Sequence, residues 1–111
     1  MDLGVEIVGG VAVVVVMVDE LDAGNIPEFK RRVAPILAAH SKVVIDLSRV
    51  RFIDSSGLGA MLSCLRQLTA KSGELKLSGL SEQVRAAFEL VRLHRILDIY
   101  EDRAKAVEAF K

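Results

Sequence analysis

Residues 42–62, KVVIDLSRVRFIDSSGLGAML, change character halfway along. The segment KVVIDL is short, apolar and rich in β-branched residues, which is typical of a buried strand. From Leu58 onward the apolar residues return at helical spacing, with Met61 and Leu62 on the same face. An acid, two serines and two glycines lie between these halves. The stretch predicts a strand-to-helix unit with a candidate functional site at its turn.

The segments on either side extend this alternation. GVEIV and VAVVVVMV, separated by Gly9 and Gly10, predict a hairpin whose second strand is covered on both faces. ELKLSGL predicts another strand, and a short one is expected near residues 99–100. Helical spacing is found in IPEFKRRVAPILAAH, GLGAMLSCLRQLTAKSG, SEQVRAAFELVRL and the C-terminal segment. Residues 1–111 therefore predict one α/β domain: a mixed four- to five-stranded sheet, parallel after the hairpin, with about four helices mainly on one side.

Two helices carry more detailed expectations. Pro35 removes the hydrogen bond back to Arg31, so we expect a kink or an irregular last turn in the first helix. Ser81 is a plausible N-cap of the third helix. The apolar residues of that helix are expected to face inward, namely Val84, Phe88 and Val91.

Composition restricts the classes of function. Fifteen basic residues balance fifteen acidic ones, Trp is absent and Tyr occurs once, which argues against nucleic acid as the main partner. The single Cys64 excludes an internal disulfide, and no Cys/His spacing suits a metal site. The start MDLGVEIV resembles no secretion signal, and the apolar run VAVVVVMV is far shorter than the roughly 20 residues of a membrane span. We therefore expect a cytoplasmic protein without direct membrane insertion.

The serine–glycine junction has a purely structural interpretation. If a helix opens with GLGAML, Ser56 lies at the N-cap and its hydroxyl accepts a backbone hydrogen bond, which stabilises a helix by about 1 kcal/mol. That role leaves Ser55, Gly57 and Gly59 unexplained. Glycine in a helix costs up to about 1 kcal/mol relative to alanine, so the two glycines suggest that something approaches the backbone closely.

Two enzyme-type sites fit the junction less well. A nucleophile elbow needs glycine two residues before the serine, where Asp54 stands, and no His–acid pair supports Ser56. GLGAML supplies the first two glycines of a dinucleotide fingerprint, but Leu62 occupies the third small position. The strand LKLSGL also ends without the acid that would bind a ribose. We therefore predict that this protein is not an enzyme.

The string VVIDLSRVRFIDSSGLGAML strongly resembles the signature of the STAS family, specifically its stand-alone anti-sigma factor antagonists. The upstream DELDAGNIPEFK resembles the family's other marker, an acidic turn leading into the first helix. The resemblance implies that the unmodified protein binds an anti-sigma factor that is also a serine kinase. That kinase phosphorylates the second serine of the motif, here Ser56, and a serine phosphatase reverses the change. ATP belongs to the kinase, so no cofactor is expected here.

The resemblance also assigns supporting residues. Those expected to present the phosphorylation site or to contact the partner are Asp22, Asp54, Ser55, Gly57, Leu58, Gly59 and Met61. Simpler roles stay open for several of them: Asp22 as a turn residue, Asp54 as an acceptor for loop amides, and Ser55 as the modified hydroxyl.

A second function of the same family is a cytoplasmic subunit of a membrane transporter for lipids, where the domain acts structurally. The intact Asp-Ser-Ser-Gly string favours the antagonist. A monomer is expected when no partner is bound.

Overall fold

A computed structural model describes all residues, 1–111. It contains seven strands, which are β1 Leu3–Val8, β2 Val11–Val16, β3 Glu20–Leu21, β4 Lys42–Asp46, β5 Phe52–Ile53, β6 Glu74–Ser78 and β7 Asp98–Tyr100. The helices are α1 Ile26–Ala39, α2 Ser55–Thr69, α3 Glu82–Leu90 and α4 Arg103–Glu108, with a 3₁₀ helix at Leu93–Arg95. None of these helices has the length and apolar character that crossing a membrane requires.

Five strands form the main sheet in the order β1-β2-β4-β6-β7. The β1–β2 pair is antiparallel, and the three other pairs are parallel. Gly9 and Gly10 join β1 to β2 with φ angles of 57° and 81°, which a two-residue hairpin turn of this twist requires. The predicted mixed sheet, with its N-terminal hairpin and parallel crossovers, is confirmed.

The sheet packs on both faces, but unequally. Twenty-three buried apolar residues form the larger core, which α1, α2 and α3 cover. Six more form a smaller core on the opposite face under α4. All six residues of β2 are buried because the strand alternates between these two cores. The predicted placement of the helices mainly on one side is confirmed.

A buried carboxylate fastens α4 to the centre of the sheet. Asp46 ends β4 and is almost fully buried. One of its oxygens, Oδ2, accepts hydrogen bonds from Nε of Arg103 at 2.9 Å and from the hydroxyl of Ser78 at 3.1 Å. The other, Oδ1, accepts from the amide and hydroxyl of Ser48. Each oxygen of this buried carboxylate thus accepts two hydrogen bonds. A charge in the protein interior needs such partners.

Of three local expectations, one is confirmed and two differ from the structure. The helix α1 continues through Pro35 to Ala39, and the His40 amide donates to Ile36 at 3.0 Å, so its last turn closes regularly. Ser81 caps α3 as predicted, since its hydroxyl accepts from the Val84 amide at 3.2 Å. Val91 was expected to face inward but is exposed, because α3 ends at Leu90 before the helical period reaches it.

Candidate functional site

A small second sheet brings the two acidic turns together. The two-residue strands β3 and β5 pair in parallel, with Leu21 opposite Ile53. Just beyond this pair, the Asp54 amide donates to the Leu21 carbonyl at 3.1 Å. The Ala23 amide in turn donates to Oδ2 of Asp54 at 3.1 Å. The turn that carries Asp22 and the turn that carries Asp54 therefore form one continuous surface.

Asp54, not Ser56, caps helix α2. Its Oδ1 accepts a hydrogen bond from the Gly57 amide at 3.0 Å, and the helix begins at Ser55. The expectation that Ser56 is the N-cap is wrong: Ser56 is the second helical residue. Asp and Ser are equally good caps, and the extended backbone at Asp54, with φ of −100° and ψ of −174°, gives the acid that position.

Both serines consequently present free polar groups. Ser55 is exposed and Ser56 is partly exposed, and neither hydroxyl makes a hydrogen bond within the protein. As the first two residues of α2, their amides have no acceptor inside the helix, and no loop or side chain supplies one. The N-terminus of α2 therefore offers two hydroxyls and two unpaired amides at the surface.

Asp22 shapes the neighbouring turn. Its Oδ1 accepts from the amides of Gly24 at 2.9 Å and Asn25 at 3.3 Å. The side chain of Asn25 makes two further hydrogen bonds. Its Nδ2 donates to the Glu20 carbonyl at 2.7 Å, and its Oδ1 accepts from the Asp22 amide at 3.0 Å. Asp22 thus serves as a turn residue that leads the chain into α1, next to the serines.

The two glycines of the motif have different environments. A Cβ atom added at Gly57 would lie 2.9 Å from the Leu21 carbonyl oxygen and closer still to Ile53. Gly57 is therefore required by the close packing of α2 on the small sheet. A Cβ atom at Gly59 would meet nothing within 4 Å. Packing gives no reason for glycine at that position, so Gly59 leaves open space one turn from the serines.

Leu58 and Met61 lie in the core. Met61 is fully buried and Leu58 almost so. An apolar contact between Met61 and a partner, as the sequence suggested, is not available in this structure. The support that both side chains give to the start of α2 stays a prediction.

Phe52 belongs to this surface and was missed in the sequence. It lies on β5, two residues before Asp54, and 46% of its surface is exposed while its neighbour Ile53 is buried. The signal was the alternation of a strand: if Ile53 points into the core, the residue before it points out. A two-residue strand is too short for that alternation to be recognised in advance.

Comparison with known proteins agrees with this architecture. Residues 3–106 match the STAS domain family. The anti-sigma-B factor antagonist of Bacillus subtilis (strain 168) is 30% identical over 80 residues, which are 72% of this chain and 73% of that protein. The corresponding protein of Listeria monocytogenes is 33% identical over 81 residues, covering 72% of this chain and 71% of its own.

A solved structure gives the same result in three dimensions. The crystal structure of an anti-sigma factor antagonist from Mycobacterium paratuberculosis superposes with a TM-score of 0.88 at 27% identity. The superposition covers 97% of this chain and 92% of that one. The resemblance carried by the Asp-Ser-Ser-Gly string is confirmed, because it extends over nearly the whole sequence and over the complete order of elements. This chain belongs to the STAS domain family.

Proposed function

We propose that this protein is an anti-sigma factor antagonist that binds an anti-sigma factor with serine kinase activity. In this proposal the kinase phosphorylates Ser56, the complex dissociates, and a serine phosphatase restores the binding form. The protein contributes a surface and a phosphate acceptor, and no catalytic residue or cofactor. The antagonists among its relatives support the regulatory role.

The observation that carries the proposal is the unengaged hydroxyl of Ser56. Because Asp54 caps α2, the serine has no structural task that would account for it. Ser56 is partly exposed, and open space lies about one helical turn away at Gly59. A kinase needs a hydroxyl that is accessible and not already held by the fold.

The start of α2 is also suited to receive a phosphate. A phosphoserine adds about −1.5 to −2 charges, and the N-terminus of a helix carries a partial positive charge. The unpaired amides of Ser55 and Ser56 can donate hydrogen bonds to phosphate oxygens. The modification should therefore leave the fold intact, and its effect should fall on the partner.

The carboxylates of Asp54 and Asp22 explain how one phosphate breaks a complex. Both lie in the joined turns next to the serines. A new dianion beside them makes the surface strongly acidic, and like charges placed together or desolvated across an interface cost several kcal/mol. A loss of about 4 kcal/mol weakens binding roughly a thousandfold, which is enough to release a partner.

The experiment that tests the proposal has two stages. Ser56→Ala and Ser56→Asp proteins are used as baits in extract of the native cells, and retained proteins are identified by mass spectrometry. A protein kinase retained by the Ala bait and lost from the Asp bait is expected. That kinase is then incubated with ATP and the unsubstituted protein, and the modified residue is mapped.

Ser55→Ala is the matched control for the second stage. Phosphate should appear on the control and be absent from Ser56→Ala. Phosphate that persists in Ser56→Ala and disappears in Ser55→Ala would move the acceptor to Ser55. Equal retention of the same partners by both baits would contradict the switch, and transporter subunits among them would favour the structural role in a transporter instead.

A further inference from the structure

The outer edge of β1 carries unpaired backbone groups. The Met17 amide donates to the Asp2 carbonyl at 3.0 Å, and β1 pairs with β2 without a bulge from Leu3 to Val8. In an antiparallel pair, residues alternate between facing the partner strand and facing away from it. Since Asp2 faces β2, the N–H and C=O groups of Leu3, Val5 and Ile7 point outward.

Two of these three residues, Val5 and Ile7, have poorly protected side chains, whereas Leu3 is partly buried. Val5 and Ile7 are 49% and 56% exposed, on the face of the sheet that α1 and α2 cover elsewhere. Edge strands that must remain single usually carry lysine, proline or a bulge. Strand β1 has none of these, and its one charged residue is Glu6. An apolar, regular edge of six residues is a template for another strand.

A groove on the opposite face of the sheet contains an arginine without an acidic partner. It is lined by Gly4, Val5, Glu6, Val15, Met17, Arg49 and Arg103. Arg103 is paired with Asp46 and lies 3.9 Å from Glu6, but Arg49 makes no ion pair in the protein. Gly4 contributes no side chain to the groove. Space for an incoming acidic side chain is therefore left beside an arginine that lacks an acidic partner.

We propose that two copies of this chain associate through antiparallel pairing of their β1 strands, with Val5 opposite the partner's Val5. This register exchanges two backbone hydrogen bonds at the central pair, because Val5 faces outward. It brings Ile7 opposite the partner's partly buried Leu3, so that the exposed Val5 and Ile7 side chains each gain an apolar neighbour. The two five-stranded sheets become one sheet of ten strands.

Charge complementarity selects this register. Glu6 then lies opposite the partner's Gly4, on the face of the groove, where its carboxylate reaches the partner's Arg49. Centring the pair on Glu6 would place two carboxylates directly opposite each other, which destabilises paired strands. Centring it on Ile7 would place Glu6 opposite an apolar Val8 and leave Leu3 outside the pair. This inference does not rest on the proposed function, and it is an alternative to the expected monomer.

Cross-linking tests the register. Hydrogen-bonded antiparallel partners have Cα atoms about 5.5 Å apart, inside the range that a disulfide spans. Val5→Cys should therefore form a covalent dimer on mild oxidation. Ile7→Cys is the matched control, since the Cα atoms of its two copies would be about 14 Å apart. The native Cys64 is buried and does not interfere. Cross-linking through Ile7→Cys with none through Val5→Cys would overturn the register.

Sedimentation of the full chain over a concentration series tests the association itself. The unsubstituted protein is expected to reach a dimer, and Val5→Lys to remain monomeric while retaining its far-ultraviolet circular dichroism. Leu90→Lys, at a side chain 84% exposed and distant from β1, should dimerise normally. Arg49→Ala should raise the dimer dissociation constant about tenfold. A protein that stays monomeric at every concentration, or a Val5→Lys protein that dimerises as before, would overturn the proposal.

Discussion

The backbone of α2 at Gly57 lies so close to Ile53 that a Cβ atom added to the glycine would be 2.5 Å from Cγ1 of that side chain. Ile53 is buried, so it has little room to move away. We expect Gly57→Ala to lower the free energy of unfolding by about 1–3 kcal/mol, the usual cost of overpacking. Urea unfolding followed by circular dichroism measures the change.

Gly59→Ala is the matched control for that variant. It adds the same methyl group to the same helix, at a position with no neighbour within 4 Å. Because alanine favours a helix, this variant should gain about 0.5–1 kcal/mol in the free energy of unfolding. Equal destabilisation by both substitutions would show that packing on the small sheet is not what requires Gly57.

Because Asp54 caps α2, its substitution should destabilise the protein more than substitution of Ser56. Asp54→Ala removes the acceptor for the Gly57 and Ala23 amides and should lower the free energy of unfolding by about 1–2 kcal/mol. Ser56→Ala should change it by less than about 0.5 kcal/mol, because that hydroxyl makes no bond in the fold. Chemical denaturation of the two variants side by side tests the assignment.

Ser81→Ala calibrates this comparison. The Ser81 hydroxyl does cap a helix, so its removal should cost about 1 kcal/mol. A Ser56→Ala protein as unstable as Ser81→Ala would mean that Ser56, and not Asp54, holds the start of α2.

The exposed ring of Phe52 should act as an apolar anchor for the partner. Aromatic residues dominate the binding energy of many interfaces, and their truncation costs about 2 kcal/mol or more at a hot spot. We expect Phe52→Ala to weaken binding of the kinase recovered with the Ser56→Ala bait by at least about thirtyfold. Isothermal titration calorimetry measures the affinity.

Leu90→Ala is the control, since Leu90 is even more exposed and lies on α3, outside the two acidic turns. The control should bind normally. Equal affinities for Phe52→Ala and the unsubstituted protein would remove Phe52 from the interface.

The thiol of Cys64 makes stability sensitive to alkaline pH. Burial raises its pKa from the ordinary 9.0 to about 12. The contribution of the protonated thiol to stability is present below pH 9.0 and is lost as the pH rises toward 12. Between about pH 8 and about pH 10.5 this group should lower the free energy of unfolding by about 2 kcal/mol.

Urea unfolding at these two pH values, for the unsubstituted protein and Cys64→Ala, isolates that effect. All other ionisable groups are shared by the two proteins, so the difference between their two changes in stability reports Cys64. Identical changes would contradict the raised pKa.

Periodicity predicted the long elements, but it could not predict the two-residue strands. The main strands and all four helices have enough residues for a pattern of two or of 3.6 to repeat. Strands β3 and β5 have two residues each, so no repeat exists, and the small sheet that joins the acidic turns was not foreseen. Its consequence at Phe52 was missed for the same reason.

The residue types at the start of α2 could not show which of them is the N-cap. Asp54, Ser55 and Ser56 are all good N-caps, and only the placement of the chain after β5 decides among them. Met61 shows a related limit. Its helical spacing correctly placed it on the apolar stripe, and that stripe faces the core and not a partner.

The assignment of capping to Asp54 has an evolutionary consequence. The fold does not require serine at positions 55 and 56, because neither serine hydroxyl makes a hydrogen bond within the protein. On the proposed function, a lineage that loses Ser56 by mutation would keep a folded binding module and would lose only its control by phosphorylation. A single later codon change restores that control. If the proposed switch operates, signalling circuits built on this domain would exchange regulated and constitutive versions without passing through an unstable ancestor.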